Sequence, residues 1–156
     1  MSDADKSDVD EIAQALYRYA RALDRKDWAL LDSVFASEIV TDWGIGAPVE
    51  GRAAVVANIR RNLDHLRAQH LFGNMTVTVR GDDADSVAAV RAMHVGTVDG
   101  KHATLEAIGE YFCAWKRLPE GWRATHIRLA VTANIGDRRV LSAHFADRGA
   151  TSRPDP

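Results

Sequence analysis

The chain has one cysteine, Cys113, among 156 residues, so it forms no intramolecular disulfide, which suits a reducing cytoplasm. In an apolar, alternating segment such a cysteine reads as a small core residue, not a nucleophile. No excess of either charge is present: 20 Lys plus Arg face 22 Asp plus Glu, a formal net charge of -2. The dense basic face of a nucleic-acid binder is missing, so no nucleic-acid partner is expected. Apolar runs fall far short of a membrane span, and the acidic opening MSDADKSDVDEI does not read as a signal sequence. A cytoplasmic protein with no membrane partner is expected. No glycine-rich phosphate loop, paired-cysteine zinc site or Gly-x-Ser-x-Gly elbow occurs, and no metal or cofactor is expected. What is there is ordinary globular composition, 46% hydrophobic and 27% charged. The length suffices to bury a core without metals or disulfides.

Val9, Ile12, Leu16, Tyr19 and Leu23 recur at helical spacing and predict a first helix over 8–23, N-capped by Ser7 or Asp8. A short second helix is expected over 28–35, an extended segment over 38–43 and a loop over 44–48. Gly51 opens a third helix whose apolar stripe is Val55, Ile59, Leu63 and Leu66. After His70 the period becomes alternating, with Met75, Val77 and Val79 on one side of a strand and a turn over 80–86. Strands over 87–98, 103–116 and 122–134 follow as a meander, joined at Asp99-Gly100 and at 118–121. Helices first and hairpin-linked strands afterwards predict an α+β fold, N-terminal helices packed on a curved antiparallel sheet. One domain is expected over 8–136, with tails at 1–7 and 145–156. Both faces of the 103–115 segment are apolar, so one packs on helices while the other meets a cavity or a second subunit.

Six histidines are the obvious chemical candidates. His65 on the charged side of the third helix and His102 beside a turn read as solvated. His144 lies by the C-terminal tail and has no assigned place. His70, His94 and His126 fall in strands, where a neutral imidazole can point into an enclosed space. Asp24 follows Ala22-Leu23 at the end of the first helix and, by type alone, is a helix-terminating or turn aspartate. Beside a buried histidine it would fix the tautomer and raise the basicity of the ring.

The run Tyr-Ala-Arg-Ala-Leu-Asp-Arg-Lys-Asp-Trp over 19–28 resembles the signature of SnoaL-like proteins of the nuclear transport factor 2-like superfamily. Phe35, Val40-Thr41-Asp42-Trp43, Gly51-Arg52, Gln69-His70-Leu71-Phe72-Gly73-Asn74 and Trp115-Lys116-Arg117 with Gly121-Trp122-Arg123 continue the pattern. The resemblance covers 8–134 and implies a cone-shaped α+β barrel whose open end holds a ligand. That scaffold hosts scytalone dehydratase, bile acid 7α-dehydratase, a hexachlorocyclohexane dehydrochlorinase, ketosteroid isomerase, limonene epoxide hydrolase and polyketide cyclases. Site residues, not the fold, must therefore choose the reaction. The eliminating enzymes share an Asp–His pair, and the resemblance puts Asp24 at their aspartate and His70 at their base. It puts His94 at the second histidine of scytalone dehydratase and Tyr19 at the tyrosine of the bile acid enzyme. Leu23 and Trp43 stand where scytalone dehydratase has tyrosines, and Gly109 and Tyr111 where it has serine and asparagine. Most groups that would grip scytalone's carbonyl are thus absent.

The resemblance implies a cofactor-independent lyase in which His70 abstracts a proton and Asp24 holds the imidazole. His94 or Tyr19 would protonate the departing oxygen or polarise a carbonyl. Trp43, Phe72, Tyr111 and Trp115 read equally as pocket walls or core. Two alternatives share the pocket. One is an isomerase or cyclase, for which Glu106 or Glu110 would be the second acid, and the other is a binding module without turnover. The expected partner is a small hydrophobic or aromatic molecule, and analogy with relatives implies a homodimer or homotrimer.

Overall fold

The first helix runs further towards the N-terminus than the periodic stretch over 8–23. In the computed structural model, which describes residues 3–142, helix α1 (Asp3–Arg25) begins inside the stretch expected as a tail. His144 and the 145–156 segment lie outside the described residues. The apolar stripe of α1 buries Ile12, Ala15, Leu16, Tyr19, Ala22 and Leu23. The segment expected as an α-helix over 28–35 is instead a 3-10 turn (Trp28–Ser33), closed by the Val34 N–H on the Leu31 carbonyl at 3.0 Å.

Strand β1 (Phe35–Asp42) starts ahead of the expected segment because Phe35 and Ala36 are already buried, and the two-residue β2 (Val49–Glu50) pairs with it. Helix α2 (Arg52–Leu63) follows Gly51, whose φ of 85 needs glycine. Leu66 is buried as expected, but in a turn past the helix end, where its N–H meets the Leu63 carbonyl at 3.0 Å. Four long strands follow: β3 (Arg67–Arg80), β4 (Asp83–Val98), β5 (Lys101–Leu118) and β6 (Gly121–Gly136). The turn expected over 80–86 shrinks to Gly81 and Asp82, since the residues after it pair with β5. A second 3-10 turn (Arg138–Leu141) extends beyond the expected end of the domain at 136.

The α+β architecture is helices on a curved six-stranded sheet, ordered β2-β1-β6-β5-β4-β3. Helices on a curved sheet are as expected; the sheet itself is mixed and does not close. All neighbours are antiparallel except β1 and β6, which run parallel with Val40 opposite His126. The chain leaves β1, completes α2 and three strands, and returns alongside; so long an excursion permits a parallel pairing that a hairpin cannot make. Irregularities at Gly73/Thr76, Ile108/Gly109 and Ala114/Trp115 interrupt the register and bend the strands. At Gly109 an added Cβ would meet the Ala130 carbonyl oxygen at 2.3 Å, so the bend requires glycine.

Ala84, Ser86, Ala88, Val90, Ala92 and His94 are all buried on β4, which marks the concave face. Ladder pairing carries that face to Leu105, Gly109, Tyr111, Cys113 and Trp115 on β5, and α1 packs against it through β3 and β6. One end is closed around Trp115 and Trp122. There the Asp8 carboxylate accepts from both Arg117 Nη atoms, at 2.6 and 2.7 Å, and from Trp122 Nε1 at 3.1 Å. The Arg117 hydrogen bonds hold the Asp8 carboxyl below its usual range. Asp8→Ala would orphan the buried indole N–H, a loss of about 2 kcal/mol in urea unfolding. Unchanged stability would show that this N–H finds another acceptor. Among the described residues no helix is long and apolar enough to cross a membrane.

Candidate functional site

Strand β3 is a sheet edge, so main-chain N–H groups on its free side need acceptors from elsewhere. The last turn of α1 supplies one. Asp24 Oδ1 and Oδ2 accept the His70 main-chain N–H at 3.1 and 3.0 Å, and Oδ1 lies 2.7 Å from His70 Nδ1. A carboxylate only accepts, so this contact assigns the ring proton to Nδ1 and leaves Nε2 with a free lone pair. One aspartate thus fixes both the main chain and the ring of His70, which is 7% exposed.

His94 reaches the same place from β4. It pairs with Ala68 while His70 pairs with Ala92. The two rings meet edge to face, with centroids 5.4 Å apart at 85°. His94 is 5% exposed, and its Nδ1 is buried with no hydrogen-bond partner among the described residues. Burial, then the neighbouring His70, pushes its pKa down to about 4. At neutral pH it is therefore a neutral imidazole that can donate or accept a hydrogen bond, not an imidazolium acid.

Tyr19 on α1 and Tyr111 on β5 meet through their hydroxyls at 3.4 Å. The Phe72 ring lies 6.2 Å from Tyr19 and 5.0 Å from Tyr111, and the Trp43 ring 6.3 Å from Tyr111. Trp43 Nε1 donates to Asn58 Oδ1 at 3.2 Å. Burial raises the Tyr19 phenol well above its ordinary value and pushes Tyr111 up to about 12, so both stay protonated. Tyr19, Phe72, Tyr111 and Trp43 thus form one cluster. Trp115 stands apart, opposite Ala84 in the closed core, with Nε1 donating to Ser86 Oγ at 2.8 Å. A groove of about 440 Å³ opens beside the Asp24–His70 pair, lined by Tyr17, Arg21, Gln69 and Phe72 among others. A second groove of about 340 Å³, between Trp28, Asp32, Arg52 and Val56, is lined by none of the histidines.

Other candidates fall elsewhere. Glu106 and Glu110 lie on the convex face, opposite Met93 and Ala89, and Glu106 is paired with Arg91 (Nε to Oε1 2.7 Å). Strand alternation puts them on the side away from Tyr111, so neither is the second acid that an isomerase would need. His126 is exposed on that convex face, not enclosed, because buried Ile127 next to it takes the inward position. His65 is half-buried rather than solvated, with Nε2 3.0 Å from the Val140 carbonyl oxygen. His102 is exposed. Cys113 is buried, its thiol pushed up to about 12 by burial, which fits a core role. Lys26, unmarked by any motif role, takes a φ of 60, donates to the Leu23 carbonyl at 3.2 Å, and adds a positive charge near Asp24 and His94. A lysine in an Arg-Lys-Asp run reads as solvated, and only the backbone turn brings it here.

A family described as the SnoaL-like domain matches residues 5–128 of the chain. An uncharacterised protein of Mycobacterium tuberculosis is 29% identical over 128 residues, covering 79% of this chain and 84% of that one. Among solved structures, a Novosphingobium aromaticivorans protein provisionally named an aromatic ring hydroxylase superposes with a TM-score of 0.78. It is 26% identical and covers 87% of this chain and 97% of its own. A protein from the same organism, provisionally named a scytalone dehydratase, also gives 0.78, at 18% identity over 86% and 91% of the two chains. A hexachlorocyclohexane dehydrochlorinase gives 0.73, at 12% identity over 86% and 89%. The last two likenesses speak for the curved α+β fold alone.

Proposed function

Since the chain belongs to the SnoaL-like domain family, we propose that it is a cofactor-independent lyase acting on a small cyclic or polycyclic substrate. The observation that carries this reading is the 2.7 Å contact of Asp24 with His70 Nδ1, which leaves Nε2 as a base beside the neutral His94. His70 takes a proton from a carbon acidified by a neighbouring carbonyl or conjugated ring. The electron pair forms the new double bond as the oxygen substituent on the adjacent carbon departs. Asp24 stabilises the imidazolium, and that imidazolium returns its proton to the departing hydroxide, so water leaves and the base is reset. His94 and Tyr19 contribute neutral hydrogen bonds that polarise the substrate. Elimination is the chemistry for which two of the fold neighbours are named, and its extension from them to this chain is part of the proposal. The outward-facing Glu106 and Glu110 count against an isomerase that needs a second buried acid.

The test is product mass. A panel of cyclic β-hydroxy ketones incubated with the wild type should yield a product lighter by one water, and His70→Gln should yield none. A product of unchanged mass would replace the lyase with an isomerase, and no turnover by either protein would leave a binding module.

A further inference from the structure

Asp24 meets only one of the main-chain N–H groups that the edge strand β3 turns away from its ladder. Antiparallel pairing sends every second residue to the same side, so Ala68 and Phe72 share the free side with His70. The His70 N–H is taken by Asp24, while those of Ala68 and Phe72 meet no acceptor among the described residues. Residues 68–72 form one wall of the groove of about 440 Å³. The opposite wall is a flank of α1, where Tyr17, Ala20, Arg21, Asp24 and Arg25 recur at helical spacing. Both walls run for about 12 to 13 Å, at the rise of a helix and of a strand. The groove opens outward, not into the concave face. Tyr17 is 42% and Leu71 61% exposed, and Arg21, Arg25 and Gln69 are exposed too, while Leu16, Tyr19 and Leu23 turn into the core.

We propose that this outer groove binds an amphiphilic organic carboxylate, its charged end at Arg21 and Arg25 and its apolar body along Tyr17 and Leu71. The two arginines are one helical turn apart, about 6 Å between their Cβ atoms, close enough to grip one carboxylate together. Neither makes an ion pair or a hydrogen bond among the described residues. Asp24, which lies between them in the chain, turns its carboxylate to His70 and leaves both guanidiniums uncompensated. The groove is also polarised along its length. Asp24 meets His70 while Tyr19 meets Phe72, so α1 and β3 run in opposite directions. Arg25 therefore lies toward Ala68, whose free N–H adds a donor for the anion, and Tyr17 lies toward Phe72 and Leu71, which offer apolar surface. Charge at one end and aromatic and aliphatic surface at the other fit a ligand with the same asymmetry. The assignment is independent of elimination, since it uses Asp24 only as the brace that joins the two walls.

The probes are naphthylacetate and its uncharged analogue naphthylacetamide, titrated calorimetrically into the wild type, Arg21→Gln/Arg25→Gln and Tyr111→Phe. The wild type should bind the carboxylate about tenfold more tightly than the amide. The double glutamine variant should lose that preference with a melting temperature close to wild type, because both arginines are exposed. Tyr111→Phe, altered on the concave face, should keep it. In amide NMR spectra the carboxylate should move the Ala68 and Phe72 N–H signals. The site is overturned if the wild type binds neither probe, or binds acid and amide equally. It is overturned as well by a preference that survives in the double variant, or by shifts confined to His94 and Tyr111, which put the ligand in the concave face. An arginine-dependent preference without any dehydration would instead sink the lyase reading and leave this site standing.

Discussion

Asparagine in place of Asp24 is expected to lower turnover by about a thousandfold while the fold survives. The carboxylate has two jobs here, and an amide cannot do both. Asp24 accepts the His70 main-chain N–H with both oxygens and the ring Nδ1–H with one. An asparagine whose oxygen turns to the main-chain N–H presents its NH2 to Nδ1, which drives the ring proton to Nε2 and removes the base. An asparagine turned the other way keeps the tautomer but no longer offers a negative charge to the imidazolium. Either way kcat falls while the melting temperature moves little. Asp24→Ala should also lose stability, because the edge N–H of His70 then has no acceptor. A kcat unchanged in Asp24→Asn would reduce Asp24 to a cap on the edge of β3.

Acid should weaken the protein through His94. Its pKa is about 4 when folded against 6.5 in an ordinary setting, so between these values the unfolded chain binds a proton that the folded one refuses. Stability therefore rises with pH across that window. The contribution of the neutral ring is full above about pH 6.5 and is lost as the pH falls through the folded pKa. The difference amounts to about 3 kcal/mol over the window. Burial comes first; of the groups that bear on the ring, His70 and Lys26 also favour the neutral form, while a main-chain hydrogen bond with Leu105 and the Asp24 charge oppose them. Urea unfolding at a series of pH values should show wild-type stability dropping by this amount between neutral pH and pH about 4. In His94→Gln the drop should be missing. The carboxyls with lowered pKa, Asp8, Glu38 and Asp137, lose their contribution from the lower edge of this window downward, and they do so equally in both proteins, so the difference between the two profiles reports His94. Parallel pH profiles in the two proteins would mean that His94 meets water in the folded state.

Helix α1, the β4–β5–β6 meander and the Asp24–His70 pairing are legible in the amino-acid sequence. The first two rest on local periodicity. The pairing needs the resemblance over 19–28, since residue type alone leaves Asp24 as a turn aspartate. What stays hidden is long-range. The parallel β1–β6 contact depends on how the chain returns after α2, and no local pattern encodes it. His65 reads as solvated because its partner, the Val140 carbonyl, is far along the chain in a turn beyond the expected domain end. Glu106, Glu110 and His126 are a different case. Strand alternation places them opposite in parity to Tyr111 and Ile127, and a period-two count along β5 and β6 turns them outward. Trp115 shares the parity of Tyr111, and only the ladder assigns it to the closed core.

The proposed chemistry rests on a His70 ring that carries its proton on Nδ1 and keeps Nε2 free. Nitrogen-15 NMR of the histidine side chains, assigned through His70→Gln, reads this directly in mildly alkaline solution without a ligand. The expected spectrum has a protonated Nδ1 and a bare Nε2 for His70, and in Asp24→Asn the tautomer shifts toward a protonated Nε2. A wild-type His70 with its proton on Nε2, or a tautomer indifferent to Asp24, would contradict the assignment of this pair as a poised base.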